Sequence, residues 1–233
     1  LLSVLLTIFS TTAMDGTIWT FPFFSEQVVK NNVTTIFPMC IVLIAGYIIA
    51  REEKDNALKN IMVIPVSYSC LLSGKLVACA LLSLFLGLAS AVFTIAASLL
   101  LEFPGFSVAV VIQTFIQMIL NCLFLYIAVT PVIALTVRIP NGHLIGTIIA
   151  FVYGYGGMFA SGNMTLANVY PITASLGLIR YRSYDPAVHW NMLSCLCSLI
   201  LCVCISCIFI LRMKNKEPER TTKKPDKAIL KKG

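Results

Sequence analysis

The stretch LVACALLSLFLGLASAVFTIAASLLL, residues 76–101, runs for 26 positions without an Asp, Glu, Lys or Arg. A helix needs about 20 apolar residues to cross ~30 Å of hydrocarbon. This run exceeds that length. It is continuous rather than alternating, which argues against a barrel strand. Only helices and closed barrels satisfy their backbone in lipid. The run therefore reads as a membrane-spanning helix.

The same absence of charge recurs outward in both directions. Residues 31–50, 103–137, 139–179 and 186–211 carry no Asp, Glu, Lys or Arg, and neither do the first 14. The 27 charged residues cluster between these runs. Across 233 residues, 58% are hydrophobic and 12% charged, and the mean hydropathy is +0.91. Soluble domains sit near 45–50% apolar and roughly 25% charged. That excludes soluble, disordered and fibrous classes. The expected fold is an all-α integral membrane protein. Six transmembrane helices are expected over about 1–14, 33–50, 76–100, 108–137, 143–161 and 191–211, in one domain covering 1–211. The first run is too short to cross alone and starts in mid-helix, so further residues are expected before it. The fourth span is longer than a bilayer requires and is expected either to tilt or to bend at Pro131, which lacks a backbone donor.

Lys and Arg counts set the expected orientation. The side with 51–75, 138–142 and the tail after 211 holds 14 of them; the other side holds Lys30, Arg180 and Arg182. The first side is expected to be cytoplasmic, with the C-terminus. The net charge of +7 is thus a topology signal and calls for no nucleic-acid partner. The tail, 212–233, is polar and basic. It is expected to be disordered and attracted to anionic membrane lipid.

Several chemistries lack their residues. Proton-driven carriers place acids or His inside their helices. Here His143 and His189 lie at span ends, as polar anchors do. No HExxH pattern occurs and no Asp lies within a span. No catalytic residue, metal site or cofactor is expected. Gly74-Lys75 resembles the end of a phosphate-binding loop, but Ser69 and Leu76 break that motif at both flanks. Of nine cysteines, five lie in the last span: Cys195, Cys197, Cys202, Cys204 and Cys207. Their spacing matches no zinc set, and thiols in lipid pack as small, soft hydrophobes.

Other residues are placed to act. Gln113, Gln117 and Asn121 recur at i, i+4, i+8 and form one polar stripe. Such a stripe either bonds a neighbouring helix or lines a substrate path. Tyr153 and Tyr155, among Gly146, Gly154, Gly156 and Gly157, extend that candidate path, with close packing or a flexing gate as the alternatives. Residues 162–190 are too apolar for a free loop and suggest a short interfacial or re-entrant helix. Asn32-Val-Thr and Asn163-Met-Thr fit the glycosylation sequon.

Residues 51–75, REEKDNALKNIMVIPVSYSCLLSGK, form the one sizeable connection on the basic side. The segment starts charged, turns amphipathic through Ala57, Leu58, Ile61, Met62 and Ile64, and stops at Pro65. Such a helix lies under a membrane or docks into a partner's groove. The segment resembles the coupling segment of ABC-2 type exporter permeases. In that family the pattern is approximately E-x-x-x-G-T-L-K-x-L-x-x-x-P-V-S-R-x-x-x-x-x-G-K. Leu58, Lys59, Pro65, Val66, Ser67, Gly74 and Lys75 match it, and the acidic pair Glu52 and Glu53 stands at its start. Asn56 and Ala57 stand in place of Gly-Thr, and Tyr68 in place of Arg. The likeness is greatest to the small permeases of bacitracin export and lantibiotic immunity.

The resemblance implies a permease without its own ATP site, paired as a homo- or heterodimer with a second permease subunit. Each subunit would sit on a separate ABC ATPase subunit in a bacterial plasma membrane. The segment 51–68 would carry ATPase closure to the helices, through Glu52, Glu53, Asn56, Leu58, Lys59, Ile61, Met62 and Pro65. The expected cargo is amphipathic, an antimicrobial peptide or a lipid-like compound. The alternatives are a non-transporting scaffold or sensor and an ATP-independent channel or carrier.

Overall fold

The computed structural model describes residues 1–13, 19–54, 68–136, 139 and 142–214. Every regular element among them is helical. In chain order these are α1 (Leu2–Ala13), α2 (Phe21–Asn31), a π-helical turn (Asn32–Ile36) and α3 (Phe37–Lys54). There follow α4 (Tyr68–Leu100), α5 (Val108–Thr136) and α6 (Gly142–Ala160). Two short helices, α7 (Met164–Val169) and α8 (Pro171–Leu178), precede α9 (Met192–Lys214). Five stretches are long and apolar enough to cross a bilayer: Phe21–Ile49, Leu71–Leu100, Val108–Thr136, Gly142–Ala160 and Met192–Leu211. The first of the six expected spans, α1, has 12 residues, about 18 Å at 1.5 Å per residue.

The helix containing 33–50 begins much earlier, at Phe21, and continues unbroken through the π turn. Glu26 and Lys30, expected between spans, sit on α2. The reason is amphipathic spacing. Phe21, Phe24 and Val28 are fully buried on one face, while Glu26 turns towards Arg182. Pro131 lies inside α5 without ending it.

The spans alternate in direction and give the bundle two distinct ends. One end carries Lys54, Tyr68, Thr136, Gly142 and Lys214; it is called the basic end below. At the capped end the link 101–107 and the segment 162–190 close over the helices. Burial separates an inner pair from an outer ring. About half of the apolar window is buried in Phe21–Ile49 and in α5, against 28% in α4, α6 and α9. The α3 helix packs along α6, α4 along α5, and α9 along α5 and α8. Leu125, Val129 and Ile133 of α5 and Val33 and Val42 of the first long helix are fully buried between them.

Close contact at the centre depends on Gly154. A Cβ there would sit 2.7 Å from the Thr34 carbonyl oxygen and 3.0 Å from Pro38. Only a residue without a side chain lets α6 lie against the π turn, as small residues do in membrane bundles. Most buried hydroxyls are satisfied within their own helix. Thr94 donates to Ser90 O (2.7 Å) and Ser98 to Thr94 O (2.6 Å). This back-bonding lets Ser and Thr sit in an apolar bundle without lining a wet path.

Candidate functional site

The basic end holds the start of the expected coupling segment. Helix α3 continues past the apolar run through Glu52 and Glu53 to Lys54. Asn56, Leu58, Lys59, Ile61, Met62 and Pro65 lie outside the described residues. The tail beyond Lys214 does too.

The stripe on α5 faces α8 and the chain leaving it. Gln117 donates from Nε2 to the Ile179 carbonyl at 3.0 Å. Asn121, 2% exposed, accepts from the Ser175 hydroxyl at 3.4 Å. Gln113, one turn nearer the capped end, is exposed. Two of the three stripe residues therefore hold α8 and its exit against α5. The polar stripe is legible at the i, i+4, i+8 spacing, but its partner is visible only in three dimensions.

The two tyrosines separate. The Tyr153 carbonyl accepts the Tyr170 hydroxyl at 2.6 Å, and the two rings lie 5.3 Å apart. Tyr155 is 44% exposed and continues an outward aromatic row with Phe151 and Phe159, at ring distances of 5.9 and 5.8 Å. Residues two apart on a helix are about 200° apart around its axis, so one wall cannot hold both. A shallow apolar concavity of about 450 Å³ runs along Leu2, Leu5, Leu6, Ile8 and Phe9. A second, of about 250 Å³, lies at Phe106, Ser107, Val108, Val111 and Ile112. None of the five candidate path residues lines either.

The capped end has a polar network that the sequence did not disclose. The buried Asn168 donates to Met164 O (2.8 Å) and His189 O (3.1 Å), and accepts from the Asn191 amide (2.9 Å). It ties α7 to the start of α9. Arg182 reaches Glu26 at 3.6 Å and Asp185 at 3.4 Å. The Tyr184 hydroxyl donates to the Glu26 carboxylate at 2.8 Å, and Tyr181 donates to the Glu26 carbonyl at 3.1 Å. Burial raises the pKa of the Tyr181 phenol above its ordinary value, so it stays a donor at neutral pH. Arg180 and Arg182 adopt positive φ, 54° and 49°, a backbone region costly for a side chain-bearing residue. In the sequence these residues look like one charged loop; only Glu26, 156 positions before Arg182, gives the loop its partner.

The centre holds a second unforeseen polar cluster. Asn31 donates to the Thr7 hydroxyl (3.0 Å) and Asn32 to the Ser90 hydroxyl (2.8 Å). Asn32 is 2% exposed, so its sequon is closed to glycosylation. Asn163, by contrast, is exposed and accepts from the Thr165 amide at 2.9 Å as the cap of α7. In α9, Cys195 and Cys202 are buried while Cys197, Cys204 and Cys207 are exposed. The cysteines are thus distributed around the helix.

Comparison with known proteins bears on this arrangement. Residues 1–157 match the family described as ABC-2 family transporter protein. Over 121 residues the chain is 32% identical to the bacitracin transport permease protein BCRB of Bacillus licheniformis. That match covers 51% of this chain and 58% of the relative. No solved structure matches.

Proposed function

From the premise that the chain belongs to the ABC-2 family of transporter proteins, we propose that it is the permease subunit of an ATP-driven exporter. It is a multi-pass membrane protein with at least five helices able to span. Energy enters at the basic end, from separate ABC ATPase subunits. The observation that carries the reading is the course of α3. This helix begins at the π turn in the bundle centre, packs along α6, and runs on to Glu52, Glu53 and Lys54. A push on the segment that follows is delivered to the bundle interior along one continuous rod.

A second permease subunit completes the transporter. The outward aromatic row of α6 and the exposed apolar face of α4, including Leu81, Phe85 and Val92, are available to it and to lipid. Two α5 stripe residues are engaged within the subunit, so cargo passes between subunits rather than through one. The relative's name points to an amphipathic peptide antibiotic as cargo. The basic end and the C-terminus face the cytoplasm of a bacterial cell, by the 14-to-3 excess of Lys and Arg.

The test is Leu58→Pro in cells that express the chain with an ABC ATPase. A proline at 58 breaks the helix expected from the sequence there, at about 3 kcal/mol or more. Membrane insertion survives, while ATPase co-purification and bacitracin resistance are lost. Undiminished resistance in that variant sinks the proposal. So does peptide export by the isolated chain in vesicles without nucleotide.

A further inference from the structure

The long helix Phe21–Lys54 is not one uniform rod. Between Asn32 and Ile36 it is π-helical, and the Phe37 amide reaches back five residues to the Asn32 carbonyl. Pro38 supplies the cause. It has no N–H, and its ring crowds the carbonyl four residues back, that of Thr34. The helix widens to relieve this. The Thr34 carbonyl then faces Gly154 of α6, where no side chain can interlock with it. Such π turns are rare inside α-helices and frequent at functional sites.

Contacts on the two sides of this turn differ in kind. Above it, α2 is joined to the link 101–107 and to residues 181–184. Its first amide, at Phe21, donates to Pro104 O at 2.9 Å. Phe21 stacks on Phe106 at 4.4 Å, and Phe24 meets Phe103 at 5.0 Å. Glu26 holds Arg182 and Tyr184, and its carbonyl holds Tyr181. Below the turn, α3 packs against α6 and α5. At the turn itself Asn32 is half-satisfied. Its amide nitrogen is bonded to Ser90, and Oδ1 is buried with no partner. Whichever way the amide is turned, one polar end is paired and the other is not. Buried amides are ordinarily paired, so this one has a bond still to make in another arrangement.

We propose that the π turn Asn32–Ile36 is a hinge: α2, the link 101–107 and the segment 179–185 turn as one body relative to α3. The side-chain ties that must yield include three neutral hydrogen bonds: Gln117 to Ile179 O, Trp190 to Tyr181 O at 2.7 Å, and Asn31 of α2 to the Thr7 hydroxyl of α1 at 3.0 Å. The capped end thereby opens without disturbing the helix that leads to the basic end. The hinge does not depend on the transporter reading.

Hydrogen–deuterium exchange of the full chain in lipid nanodiscs tests it, with two variants. Gln117→Leu removes the tie that holds the Ile179 carbonyl to α5. Amides in 179–185, 101–107 and 21–31 then exchange faster in step, by about tenfold, the effect of roughly one buried hydrogen bond on a local opening. Those in 37–49 do not change. A rise confined to 179–185, or an equal rise across 37–49, overturns the hinge. Pro38→Ala restores a donor facing Thr34 O and stiffens the turn, so exchange of 21–36 and of 179–185 slows together. Unchanged exchange in a folded Pro38→Ala protein also overturns it. If that variant fails to fold, the Gln117→Leu variant decides alone.

Discussion

At the scale of single residues, what matters most is what has no partner or no room. Asn32 sits in the bundle centre with one bond from a possible pair, to Ser90. Ser90→Ala leaves the whole amide unpaired and lowers stability by about 1–3 kcal/mol. Asn32→Leu removes the polar group altogether and lowers it less. Thermal unfolding in detergent ranks the two; the opposite order shows that the Ser90 bond contributes nothing. Gly154 is limited by space instead. A leucine there presses on the Thr34 carbonyl and Pro38, and overpacking of this kind costs roughly 1–3 kcal/mol. A melting temperature unchanged in Gly154→Leu means that α6 stands off from the π turn. Both positions are ordinary in the sequence. An Asn in a sequon and a Gly among tyrosines carry no mark of burial, because the groups that crowd them are 58 and 120 positions away.

At the scale of elements, helices read well and their facing partners do not. The i, i+4, i+8 stripe on α5 follows from helix periodicity, and the structure shows two of its members bonded to α8 and its exit. Tyr153 and Tyr155 read as a pair only while the 100° step per residue is ignored. The short α7 and α8 are legible as apolar content in a nominal loop, but Asn168 ties α7 to the start of α9, and Gln117 and Asn121 of α5 hold α8 and its exit. Asn168→Ala removes three backbone ties at once. Limited proteolysis is expected to cut that variant between 162 and 190 several times faster than the parent. Equal cutting shows that apolar packing of α8 alone holds the cap. The start of the first long helix was misplaced by twelve residues for a related reason. Glu26 and Lys30 interrupt a hydropathy scan, although charges on one face of a helix near its end do not interrupt the helix.

At the scale of the whole molecule, the asymmetry of charge is the dominant feature. Fourteen Lys and Arg residues lie on the basic side and three on the other. That distribution leads to a labelling experiment in intact bacterial cells. In a background lacking the native cysteines, Tyr184→Cys reacts with a membrane-impermeant maleimide from outside. Lys223→Cys reacts only after permeabilisation. The reverse pattern inverts the topology and removes the basic end from the reach of a cytoplasmic ATPase. The Leu58→Pro experiment also belongs to this scale, since it asks whether force applied outside the bundle is needed for its work.

The sequence by itself determined that the chain is helical, that lipid is its solvent, and which family it resembles. These follow from local quantities: hydropathy summed over some 20 residues, charge counts between spans, and the spacing of one short segment. Tertiary structure alone decided that two stripe residues are engaged, that one tyrosine faces in and its neighbour out, and that Glu26 belongs with Arg182. It alone placed a π turn and a half-satisfied asparagine at the centre. In lipid there is no hydrophobic drive between helices to sort faces by polarity. Close approach and hydrogen bonds between distant residues do the sorting, and neither is written in the hydropathy of any one segment.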